Sequence, residues 1–132
     1  MNPGVYVIAG GGLSVTTGGS LIGTNVTIYN ASTAYPGTTG TSGSITLNTT
    51  GNVTLTACNT GTYAGMLIFQ QRINSATMTL VPAANSTISG VVYAINATYS
   101  LSGSGSLRTS AVVNQINMTS AVKILGDASG LF

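Results

Sequence analysis

Short runs in which apolar and small polar residues alternate recur along the whole chain. Val26-Thr27-Ile28 and Val53-Thr54-Leu55 show the motif in its simplest form. An alternation of two is the period of a strand with one face buried. The pattern predicts strands over 5–9, 13–17, 26–30, 45–48, 53–57, 66–71, 77–81, 91–96, 111–117 and 122–125. Between them lie clusters of Gly, Ser, Thr and Asn, which read as turns. No segment sustains a helical period.

The runs also resemble one another. SGVVYAIN, beginning at 89, is echoed by SAVVNQIN, beginning at 110; AGMLIFQQ from 64 is a weaker echo and TNVTIYNA from 24 a looser one. Each opens on a small residue, continues through an apolar pair and closes on an amide. One unit of about 20 residues cannot bury both faces of its strands, so units of this kind stack. The expected fold is all-β: a parallel β-helix (β-solenoid) of about six coils, forming a single domain over 1–132. A β-sandwich, whose strands have no fixed coil length, is the alternative. The segment 31–43, with Pro36 among many Gly and Thr, reads as an insertion within one coil. Aligning the echoes predicts an inward apolar column with Val91 over Val112. It also predicts a candidate amide ladder of Gln71, Asn96 and Asn117, hydrogen-bonded along the axis.

Composition removes several function classes. Charged residues make up 3% of the 132 residues, and the complete set is Arg72, Arg108, Lys123 and Asp127. Glycoside hydrolysis usually needs two carboxylates, and a Ser-His-Asp arrangement needs a histidine. The chain has one acid and no His. Cys58 and Asp127 cannot make a zinc site. The expectation is that the protein is not an enzyme and holds no cofactor or metal. A net charge of +2 is too small for a phosphate-binding patch, so no nucleic acid is expected as partner. The glycines Gly10, Gly11 and Gly12 are followed by neither a Lys nor a helix, so they read as a tight turn rather than a phosphate loop. The lone Cys58, in an apolar run, reads as a small buried hydrophobe.

No stretch reaches the roughly 18 apolar residues of a membrane span. The opening MNPGVYVIAGGG lacks the basic lead-in of a signal peptide, which leads us to expect a mature secreted chain or a fragment of a longer protein.

The segments PGVYVIAGGGLS (3–14), TNVTIYN (24–30), YAGMLIFQQR (63–72) and STISGVVYAINATYSLSGSGSL (86–107) resemble the C-terminal β-helical region of TadG-like proteins, associated with tight-adherence (Flp-type) pilus assembly. The resemblance spans about residues 3 to 120. It implies a right-handed parallel β-helix, an extracellular or cell-surface location, and pilus or envelope proteins as partners. One position departs from it: the family strand often carries Asp before the Arg, and here Gln71 precedes Arg72.

Three kinds of surface chemistry remain. Sequons for N-glycosylation begin at Asn25, Asn30, Asn48, Asn52, Asn85, Asn96 and Asn117, although Asn and Thr are also favoured at coil corners. The tyrosines Tyr6, Tyr29, Tyr35, Tyr63, Tyr93 and Tyr99 could cap strands, pack in the core or stack on sugars. Alternating threonines such as Thr54 and Thr56 could form a flat hydroxylated face. The expected function is therefore a non-catalytic structural or adhesive extracellular module, associated with a pilus or the cell surface. Its partner would be a second copy of itself, because stacked coils expose unpaired strand edges at both ends and neither end, including 126–132, carries an evident cap. The alternative is a glycan- or ice-binding module using one flat Thr/Asn/Tyr-bearing face.

Overall fold

A computed structural model describes residues 1–126; Asp127 and the terminal apolar residues considered above lie outside the described residues. The described chain contains strands and no helix: β1 Gly4–Ala9, β2 Leu13–Thr16, β3 Leu21–Ala31, β4 Ile45–Asn48, β5 Val53–Ala57, β6 Met66–Gln70, β7 Met78–Val81, β8 Thr87–Leu101, β9 Ser106–Met118 and β10 Lys123–Ile124. They form one 10-stranded sheet in which every registered pair is parallel. This arrangement fits a β-solenoid.

The registers divide the wall into three faces. On the first, Tyr6 pairs with Ile28, Ile28 with Ile68, Ile68 with Val92 and Val92 with Ala111. On the second, Leu13, Ile45, Met78, Tyr99 and Ile116 form one column, and Val15, Leu47, Leu80, Leu101 and Met118 another. On the third, Gly23, Leu55, Ile88, Leu107 and Ile124 follow one another. All three sets point inward and meet in one apolar core. Each successive turn of chain covers the row before it, so burial comes from stacking rather than from any single coil.

Most expected strands coincide with observed ones, but the ladder runs further. β3 begins at Leu21, β8 spans Thr87–Leu101 and β9 spans Ser106–Met118. Gly23 and Gly90 sit inside strands that the sequence divides into turn and run. Backbone that bends around a corner can keep its hydrogen bonds to the rows on either side, whatever its side chains. Gly90 is required by close approach: a Cβ there would stand 2.6 Å from Ala57 Cβ and 2.9 Å from Leu67 Cβ. Leu67 is the extra residue of a bulge, between the pairs Met66–Val91 and Ile68–Val92, and it is fully buried. At the corresponding corner two rows before Gly90, Asn25 adopts φ 57° and turns the chain between faces.

The expected column of Val91 over Val112 does not form. Val91 pairs with Ser110, and Val112 pairs with Tyr93 and is exposed. The two echoes align two residues away from where their letters match. Val91 to Ser110 is a step of 19 residues (110 − 91) rather than the 21 of the letters, and an even slip does not change which side a residue faces. The inward placement of Val112 fails separately: Val92 and Ala111 take the inward positions, and Val112 points outward.

Candidate functional site

Catalytic groups are as sparse in space as in composition. Among the described residues no cluster of His, Cys, Asp or Glu could hold a metal ion. No helix among them is long and apolar enough to cross a membrane. Cys58 is a free, half-buried thiol that donates to the Asn25 carbonyl at 3.2 Å. It borders a corner groove of about 470 Å³, together with Thr56, Gly65, Met66, Gly90 and Arg108.

The amide ladder expected from Gln71, Asn96 and Asn117 is corrected by the registers. Asn117 pairs with Ser100 and is exposed. Asn96 is also exposed and donates to the Arg72 carbonyl at 2.5 Å. Only Gln71 is buried. The buried amides that do adjoin are Asn30 and Gln70, which stand in register on neighbouring rows. Asn30 Nδ2 donates to Gln70 Oε1 at 3.2 Å and to the Gly43 carbonyl at 2.9 Å. Gln70 Nε2 donates to the carbonyls of Asn74 (3.1 Å) and Ala76 (2.9 Å). Asn74 Nδ2 reaches Gly43 as well, at 3.1 Å. Gln71 Oε1 accepts from the Ser32 amide at 2.7 Å, and Gln71 Nε2 donates to the Gly37 carbonyl at 2.8 Å.

This cluster holds the chain where it leaves the sheet after β3 and β6. Departing segments have no ladder partner, so their backbone groups must be met by side chains. Matching IYN at 28–30 directly to IFQ at 68–70 would have revealed the pair; aligning both to the later echoes concealed it. Asn30 Oδ1 and Ser32 Oγ are buried without a partner. The same burial corrects one sequon: Asn30 and Ser32 are fully enclosed, so a glycan on Asn30 is incompatible with this fold. Asn48, Asn52, Asn85, Asn96 and Asn117 are exposed, and Asn25 is half-buried.

The tyrosines divide by face. Tyr99 is fully buried in the second face and Tyr6 packs inward at the first row. Burial pushes the Tyr99 hydroxyl up to about 12. Thr109 is the polar neighbour that opposes this shift, but both hydroxyls remain without a partner of good hydrogen-bonding geometry. The other tyrosines gather on the outside of the first face. There Val7, Tyr29, Phe69, Tyr93 and Val112 form one outward column. Phe69 and Tyr93 stack at 4.9 Å with planes 7° apart, and Tyr29 meets Phe69 edge-on at 4.9 Å. Tyr35 and Tyr63, from loops that leave the sheet, close on Tyr29 at 5.2 and 6.3 Å. Desolvation, followed by the Tyr35 and Tyr63 hydroxyls, raises the pKa of Tyr29. Arg72 Nε donates to the Tyr93 hydroxyl at 3.1 Å.

The second face carries a different outward column: Ser14, Thr46, Thr79, Ser100 and Asn117. Threonines occur on the third face too, where Thr54 pairs with Thr87 and Thr56 with Ser89. Comparison with family models, curated proteins and solved structures finds no match.

Proposed function

We propose that the chain is a non-catalytic structural or adhesive module, displayed outside the cell with a pilus or the cell surface. In this reading it is a right-handed β-helix of about six coils whose copies stack end to end. Right-handedness follows the strong preference of parallel crossovers. The pilus association rests on the resemblance of residues 3–120 to TadG-like β-helical regions. The observation that carries the stacking is the state of the inward columns at the last described row. Ile116 and Met118 are 45% and 46% exposed, whereas Tyr99 and Leu101, one row in, are at 0%. At the other end Tyr6, Ile8, Leu13 and Val15 are only partly buried. Both ends thus offer partly uncovered apolar rows, with no carboxylate among the described residues to oppose a second copy.

Electron microscopy and concentration-dependent light scattering test this reading. Filaments or oligomers that lengthen with concentration are expected, and Ile116→Lys should abolish them. Isolated particles of the unaltered protein at high concentration would overturn it.

A second reading, a glycan- or ice-binding face, is favoured by the hydroxyl column Ser14, Thr46, Thr79 and Ser100. Its members repeat at the strand spacing of about 4.8 Å on a wall without charged side chains, a spacing suited to ordered water. Unaltered ice growth in the presence of the protein would remove the ice half of this reading.

A further inference from the structure

The aromatic wall of the first face has chemistry that neither stacking nor the hydroxyl column uses. Tyr29, Tyr35, Tyr63, Phe69 and Tyr93 gather on one outer surface, linked ring to ring. None of these rings is fully buried, and Tyr35 is 40% exposed. Phenol rings present an apolar body and a polar rim. Pyranose sugars have the complementary arrangement, an apolar C–H face edged by hydroxyls.

Arg72 gives this wall a sign. It is exposed, and Nε donates to the Tyr93 hydroxyl at the edge of the stack. Asn96 Nδ2 anchors the Arg72 carbonyl, so the arginine leaves the sheet from a fixed point. A guanidinium carries five N–H donors in a planar fork that matches a carboxylate. Among the described residues Arg72 makes no ion pair, because every charged side chain there is a cation. A ligand that satisfies both the rings and the fork is a sugar bearing a carboxylate.

The geometry points to a binding site for a uronic-acid polysaccharide, lying along the helix axis against the exposed ring of Tyr35 and the outward ring edges of Tyr29, Phe69 and Tyr93, and fixed by Arg72. This takes up the glycan half of the second reading and moves it from the threonine columns to the aromatic wall. The site lies between the ends of the stack, so an unassembled chain carries it whole, and its failure is distinguishable from failure of the stacking reading.

Calorimetric titration of the purified chain with oligogalacturonate, with neutral dextran oligosaccharides and with a decaproline peptide tests the proposal. Saturable binding of oligogalacturonate that weakens with salt is expected, with dextran bound at least about tenfold more weakly, the scale of one charge-assisted hydrogen bond. Arg72→Gln should remove that preference, and Tyr35→Ala should lower affinity by a similar factor while circular dichroism shows the chain still fully folded at the titration temperature. Arg108→Gln, on another face, should leave binding intact. Absence of oligogalacturonate binding overturns the proposal. So does a loss in Arg108→Gln equal to that in Arg72→Gln, which would mark non-specific attraction. Binding of decaproline alone also overturns it, because the wall would then be a peptide groove.

Discussion

The rows between Leu21 and Val81 and the pair β8–β9 build the same wall by different means. In β8 and β9 the backbone passes around the corners with few interruptions, from Thr87–Ser106 to Leu101–Met118. Its corners are tight: the close approach at Gly90 and the register shift between Ala94 and Thr98. In the earlier rows the chain leaves the sheet after Ala31, Ala57 and Gln70 and returns at Ile45, Met66 and Met78. The loops bring costs and opportunities together. Their carbonyls, Gly37, Gly43, Asn74 and Ala76, are met by buried amides, and they carry Tyr35 and Tyr63 onto the aromatic wall. A parallel stack with tight corners needs little beyond alternation. A stack with long corners needs specific side chains to hold them.

The largest expected effect tests what the two regions share. Leu80 and Leu101 are adjacent in one inward column and both fully buried. Replacing either with Ala should cost about 3–4 kcal/mol in chemical denaturation. Leu101→Ala should be the milder, because half-exposed Met118 beneath it can settle into the space.

Gln70→Ala should separate the regions. It strips the Asn74 and Ala76 carbonyls of their side-chain donor and Asn30 of one acceptor, for a loss of about 3 kcal/mol. Asn117→Ala, at an exposed position in the tight rows, should change stability by no more than about 0.5 kcal/mol. Equal losses would return the ladder to the positions that the letter repeat suggests.

Tyr99 makes the tight region alkali-sensitive. A phenol whose folded pKa is raised from 10.0 to about 12 contributes stability that is fully present below pH 10. That contribution is lost as pH rises through about 12, because the unfolded chain releases its proton first. The loss should reach roughly 2 kcal/mol across that window, and Tyr99→Phe should flatten it. Denaturant midpoints at pH 7, 10 and 11.5 would check this, and a Tyr99→Phe curve as steep as the parent's would place the sensitive group elsewhere.

The smallest effect concerns the loops. Phe69 touches Tyr29, Tyr63 and Tyr93, and Phe69→Ala should cost about 1–2 kcal/mol. It should also speed proteolysis within 32–44 and 58–65. Val112→Ala, in the same outward column, should leave both measures near the parent values.

Much of this molecule is legible in its letters. Alternation locates most strands, because a half-buried strand must repeat every two residues. The segment 31–43 stands out as an insertion because Gly, Pro and Thr replace that alternation, and the chain does leave the sheet between β3 and β4. Poverty in acids and the absence of His are read directly from composition. The tertiary structure alone decides which row lies over which. A run of consecutive apolar letters such as Val91-Val92 or Val112-Val113 does not say which member faces inward, and a slip of two residues leaves the alternation unchanged, so the pattern distinguishes neither the facing of Val112 nor its partner. That choice depends on how much chain each corner consumes, which is set by contacts far away in sequence. From it follow the burial of Asn30 against Gln70, the exposure of Asn117 and the gathering of Tyr29, Phe69 and Tyr93 into one wall. Alternation is a local property of the chain, whereas register is a property of the whole stack.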